Sequence, residues 1–114
     1  MLVVDDDTSI RDLLHSALVE EGYDVKVASD GRDALDVIGH WLPDVIVLDL
    51  MMPVMDGWAL AREVHHSYDI PIIALSAVTE LPRHATALGV SDYVQKPFDL
   101  DLLLPKISRA VSSN

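Results

Sequence analysis

The stretch from Val45 to Gly57 reads Val-Ile-Val-Leu-Asp-Leu-Met-Met-Pro-Val-Met-Asp-Gly, and the rest of the chain is organised around it. Four consecutive apolar residues, three of them β-branched, predict a strand buried on both faces. The run ends on Asp49. An acidic residue at the carboxyl end of a buried strand sits where open α/β sheets gather their chemistry. Beyond it, Pro53 and the pair Asp56-Gly57 are turn signals ahead of a helical pattern.

Working outward, Leu2-Val3-Val4 is a short apolar run that stops on Asp5-Asp6-Asp7, which predicts a first strand entering an acidic turn. Helical spacing follows, with Ile10, Leu13, Leu14, Ala17 and Leu18 expected on one face. Asp7 or Ser9 can cap this helix, Ser9 with Asp12 matching a capping box, and Gly22 ends it. Tyr23 to Ala28 alternates apolar and charged residues, as a strand near an edge does. Ser29-Asp30-Gly31 can cap a second helix from Arg32 to about His40, with Ala34, Leu35 and Ile38 inward. Pro43 closes that segment.

Downstream, Trp58, Leu60, Ala61 and Val64 give a third helix its apolar stripe. Pro71 marks a boundary, and Ile72-Ile73-Ala74-Leu75 is a fourth buried strand ending at Ser76. Pro82 to Leu88 reads as a short fourth helix stopped by Gly89. Tyr93-Val94-Gln95 is a fifth strand, followed by Lys96-Pro97-Phe98. The last helix starts near Asp99 and carries Leu102, Leu103, Ile107 and Val111, with Pro105 inside it at the cost of a backbone hydrogen bond. Five βα units in residues 1–114 predict one domain with a parallel sheet, right-handed crossovers and helices on both faces.

Composition narrows the function. Half of the 114 residues are hydrophobic, none is cysteine, and 19 acidic against 8 basic residues give a formal net charge of -11. Such a domain repels phosphate backbones, so direct nucleic-acid binding is disfavoured, and divalent cations or a basic partner surface are favoured. No apolar run approaches the roughly 18 residues of a membrane span. The start lacks the basic region of a signal peptide. Lack of cysteine excludes disulfides and thiolate metal sites and fits a cytoplasmic location. Neither a Gly-x-Gly-x-x-Gly fingerprint nor a Walker-type loop is present.

Parallel strands bring their carboxyl ends to one edge, so Asp5, Asp6, Asp49, Ser76 and Lys96 can converge from distant parts of the chain. Crowded carboxylates repel one another unless a cation intervenes, and Mg2+ suits an all-oxygen site. A metal, a lysine and a hydroxyl together would cradle a transferring phosphoryl group, with Asp49 as carboxylate nucleophile.

At these residues the chain resembles the receiver domains of two-component response regulators. The matching pieces are Leu2 to Asp7, Val45 to Gly57, Leu75-Ser76-Ala77 and Asp92 to Phe98, in order and on the expected strands. The resemblance implies a flavodoxin-like (βα)5 fold with sheet order 2-1-3-4-5. It implies that Asp49 is the phosphoacceptor, and that Asp6 and Asp49 hold Mg2+ (or Mn2+) directly, Asp5 through water, and Met51 through its backbone carbonyl. Ser76 corresponds to the switch hydroxyl, Lys96 to the lysine that pairs with the phosphoryl group, and Tyr93 to the switch aromatic. The implied partners are a sensor histidine kinase or histidine phosphotransfer domain. The implied output face, for an effector domain or a second copy, is built from the fourth helix, fifth strand and last helix.

The chain also departs from that family. Thr8 stands where proline is usual, which favours Asp7 as the cap, and the Ser76–Lys96 interval is about two residues short. Met51 and Val78 occupy positions that tune hydrolysis, and neither side chain can hold a water, so slow self-dephosphorylation is expected. Met51 also argues against an aspartyl-nucleophile phosphatase, which needs a second aspartate there. The intact acidic and lysine set argues against a receiver-like module used only for docking. His15 and His65-His66 read as solvated, and Trp41 and Trp58 as packing residues or partner anchors. The abrupt start at Met1-Leu2 and the end at Ser112-Ser113-Asn114 leave open a stand-alone regulator and a receiver cut from a larger protein.

Overall fold

The computed structural model describes residues 1–50, 57–76 and 90–112, Ser76 by its backbone alone. Nine elements follow in order: β1 (Leu2–Val4), α1 (Thr8–Glu20), β2 (Lys26–Ala28), α2 (Gly31–His40), β3 (Ile46–Asp49), α3 (Gly57–Ser67), β4 (Ile72–Ser76), β5 (Val90–Gln95) and α4 (Leu100–Ser112). The strands form one parallel sheet in the order β2-β1-β3-β4-β5. This is the flavodoxin-like α/β arrangement, with four flanking helices among the described residues. The expected helix from Pro82 to Leu88 lies outside them.

Alternation along the strands divides the core in two. Leu2, Val4, Ile46, Leu48, Ile72 and Ala74 face one side and pack with Ala34 and Ile38 of α2 and Leu60, Ala61 and Val64 of α3. Val3, Val47, Ile73 and Leu75 face the other, with Leu14 and Leu18 of α1 and Leu103 and Ile107 of α4. The last four are fully buried, each contributing roughly 1.5–3 kcal/mol. No helix among the described residues is long and apolar enough to cross a membrane.

Several sequence expectations need correction. Leu13, expected on the apolar face of α1, is 49% exposed, and Leu102 of the last helix is 61% exposed. The sheet takes the i, i+4 rows Leu14–Leu18 and Leu103–Ile107, and the residue before each row is turned about 100° away. Asp7, the favoured of the two expected caps, does cap α1: its carboxylate accepts the N–H groups of Ser9 and Ile10, and Ser9 lies inside the helix. β2 is shorter than Tyr23 to Ala28 because its partner β1 has only three residues to pair with. β5 is longer than Tyr93 to Gln95, starting at Val90, with a register irregularity opposite Ile72/Ile73.

Candidate functional site

The end of β1 supplies Asp5 and Asp6, and the end of its neighbour β3 supplies Asp49. Leu50 fixes the exit from β3, because its N–H donates to the Leu75 carbonyl and its carbonyl accepts the Gly57 N–H. Gly57 has no space for a side chain: a Cβ would lie 2.5 Å from the Asp49 carbonyl oxygen and still closer to the Leu50 Cα. The backbone around Asp49 is therefore pressed between β4 and the start of α3. In the sequence Gly57 reads only as a turn residue, and this close approach is not visible there.

Lys96 follows β5, across the sheet from β1. Its ammonium nevertheless lies 3.1 Å from Asp5 Oδ2 and 3.2 Å from Asp49 Oδ2. Asp5 is fully buried and Asp49 is 3% exposed, so neither carboxylate can rely on water. Burial pulls the Lys96 pKa down, but the hydrogen bonds and charges of Asp5 and Asp49 together outweigh it and leave the pKa above the ordinary lysine value. The ammonium is thus a permanent positive charge at neutral pH.

Every polar atom of Asp5 is engaged. Its Oδ1 accepts the Asp7 N–H at 2.9 Å, its Oδ2 accepts from Lys96, and its carbonyl accepts Arg11 Nη1 at 2.8 Å. Its own N–H donates to the Ala28 carbonyl. Asp6 is the opposite. Its carboxylate is exposed and has no partner among the described residues. One ligand oxygen from each of Asp5, Asp6 and Asp49 lies within 4.8 Å of the other two. Three carboxylates against one ammonium leave this cluster formally two charges negative. It can coordinate a divalent cation, and an all-oxygen set of hard donors suits Mg2+.

Of the other expected site residues, the Ser76 backbone closes β4 opposite Gln95, the residue before Lys96. Tyr93 is on β5 opposite Ala74 and is 39% exposed. Met51 and Val78 lie outside the described residues. Arg11 is the residue sequence reasoning missed. One turn into α1, it looks like an ordinary surface cation, and no spacing rule marks its hold on the Asp5 carbonyl.

Residues 1–108 match the family described as the response regulator receiver domain. A probable transcriptional regulator of Guillardia theta, ycf27, is 44% identical over 86% of this chain. The chain spans only 39% of that relative's length. Among solved structures, the receiver domain of the Francisella response regulator 1452 is similar with a TM-score of 0.91 and 35% identity, covering 98% of this chain and 95% of that one. Chemotaxis protein CheY4 of Vibrio cholerae is similar with a TM-score of 0.89 and 36% identity, over 96% and 95% of the two chains.

Proposed function

The chain belongs to the response-regulator receiver family of two-component signalling, and from that premise we propose that Asp49 accepts a phosphoryl group from a phosphohistidine. The donor is a sensor histidine kinase or a histidine phosphotransfer domain. The Asp5, Asp6 and Asp49 cluster matches the phosphoacceptor and metal site of receiver domains. Like the structures it matches, the chain is a switch domain and not an enzyme with turnover as its purpose. The observation that carries the assignment is a nearly buried carboxylate at a strand end, already 3.2 Å from a fixed ammonium.

In the transfer, an Asp49 oxygen forms a bond to phosphorus as the phosphorus–nitrogen bond of the phosphohistidine breaks, and the imidazole leaves. Charge on the transferring group spreads over its equatorial oxygens. Lys96 needs no proton transfer to meet that charge, since it is protonated and held at the site beforehand. Asp5 orients Lys96 through Oδ2 and keeps its other oxygen on the acidic turn. A bound Mg2+, or Mn2+ in its place, would be held by Asp6 and Asp49, by Asp5 through water and by the Met51 carbonyl, and would neutralise the crowded oxygens.

Phosphorylation adds about -1.5 to -2 charges at pH 7. We assign Ser76 as the hydroxyl that follows the new phosphoryl oxygens and Tyr93 as the aromatic that swings inward with it. The face that changes is the 82–88 segment with β5 and α4, and it serves an effector domain or a second copy. Residues 1–114 act as a single cytoplasmic receiver, with no direct contact to nucleic acid or membrane. With Met51 two residues past the acceptor and Val78 two past the hydroxyl in sequence, neither able to hold a water, self-dephosphorylation should be slow; a lifetime of a few seconds would count against that detail.

The test is beryllofluoride with Mg2+, a mimic of the phosphorylated carboxylate. The wild type should give a bound fluorine resonance and a raised melting temperature. The same resonance in Asp49→Asn would refute Asp49 as acceptor.

A further inference from the structure

Arg11 is half-buried and reaches back to the acidic turn, yet its guanidinium forms no ion pair with any carboxylate among the described residues. Nη1 donates to the Asp5 carbonyl at 2.8 Å and Nη2 donates to Thr8 Oγ1 at 3.2 Å. A cation that takes a carbonyl and a hydroxyl instead of a carboxylate is placed by its fork and not by its charge. Its two anchors lie on opposite sides of the acidic turn, one on the last residue of the strand exit and one on the first residue of α1.

From this geometry we infer that Arg11 is a positioning residue for the cation site, clamping the turn that presents Asp6. The inference rests on the metal reading above and extends it. Asp6 is the one exposed carboxylate of the cluster, and its side chain has no partner among the described residues. Its position therefore depends on its neighbours. Asp7 is fixed from one side by capping α1, and from the other its N–H donates to Asp5 Oδ1. Arg11 closes the remaining freedom by tying the Asp5–Asp6 peptide to the first turn of α1. The second anchor exists because this chain carries Thr8 where proline is usual in the family it resembles. A proline there has no hydroxyl to accept from Arg11.

Two effects of Arg11 on a cation oppose each other. As a positive charge it repels the ion; as a clamp it preorganises a ligand. Lysine separates them, because it keeps the charge and loses the planar fork. Mg2+ affinity should be measured by titration calorimetry on the wild type, Arg11→Lys, Arg11→Gln, Thr8→Val and Thr8→Ser. Exchange of the Asp7 amide should be followed in the metal-free proteins. Arg11→Lys should weaken Mg2+ binding roughly tenfold, the low end for groups that orient a metal ligand. Arg11→Gln should weaken it less, Thr8→Val should lose part of the affinity and Thr8→Ser should retain it. The Asp7 amide should exchange faster in Arg11→Lys while the Leu14 and Leu18 amides do not change, which a general loss of stability would not produce.

Unchanged affinity in Arg11→Lys together with tighter binding in Arg11→Gln would mean that Arg11 acts only as a charge, and would overturn the clamp. Wild-type protein that fails to bind Mg2+ would instead overturn the metal reading. In that case the Asp7 amide still decides whether Arg11 holds the turn, and unaltered exchange in Arg11→Lys would overturn that too.

Discussion

Lys96 and Lys106 both pair with aspartate at nearly the same distance, 3.1 Å to Asp5 and 2.9 Å to Asp92. Their surroundings differ. The Lys106 and Asp92 side chains, joining α4 to β5, are 27% and 37% exposed, whereas the Lys96 side chain is 20% exposed and meets two aspartate side chains exposed by 0% and 5%. Water can replace either partner of the outer pair and neither carboxylate of the inner one. Distance alone therefore does not rank the two pairs; burial does, and it makes the inner cluster a place where charge must be answered by a lysine or a metal.

The change that should break the inner region most severely leaves every charge in place. Gly57→Ala puts a methyl against the Asp49 carbonyl and Leu50 backbone, and should cost about 3 kcal/mol in urea unfolding. It should also displace Asp49, so that Mg2+ binding falls although no ligand is altered. Unchanged stability would mean that α3 shifts easily.

Lys96→Met removes the inner cation. In metal-free buffer it should cost about 2 kcal/mol, somewhat under the range for a fully buried pair because Lys96 is partly exposed. The folded lysine pKa lies above the unfolded value of about 10.4. The pair's contribution is therefore complete below that value and lost as pH rises through the folded pKa. The stability gap to wild type should be flat from about pH 7 to 9 and narrow only above about 10.4. A gap that closes by pH 8 would contradict the geometry.

Asp6→Asn relieves repulsion and should stabilise the metal-free protein by up to about 1 kcal/mol. It should abolish most of the stabilisation that Mg2+ gives the wild type, about 1.4 kcal/mol at a tenfold excess over Kd. Equal responses to Mg2+ in the two proteins would remove Asp6 from the site. Lys106→Ala should have the smallest effect, under about 1 kcal/mol and reduced further by salt. A loss as large as that of Lys96→Met would erase the contrast between the two pairs.

The same contrast explains what could be read from the sequence. Runs such as Val45 to Leu48 and Ile72 to Leu75 announce buried strands because an uninterrupted apolar run has few other uses, and the strand ends then gather Asp5, Asp49 and Lys96 by topology. The widths of the helix faces were harder to read: Leu13 and Leu102 are apolar residues beside the stripe, and only the packed sheet decides which i, i+4 row it accepts. Asp7 as cap is favoured by Thr8 at the next position, and its carboxylate on the Ser9 and Ile10 amides agrees. Contacts to backbone atoms left no trace at all. Gly57 against Asp49 and Arg11 on the Asp5 carbonyl depend on where a carbonyl points, and side-chain identity does not encode that.

The central claim is that Asp49 receives the phosphoryl group. Intact-mass analysis after incubation with acetyl phosphate and Mg2+ tests it most directly, with the adduct mapped by peptide. The account predicts one phosphoryl group on the wild type, carried by the peptide that contains Asp49, and none on Asp49→Asn. An adduct of equal yield on Asp49→Asn, or one mapped to another residue of the wild type, would contradict it.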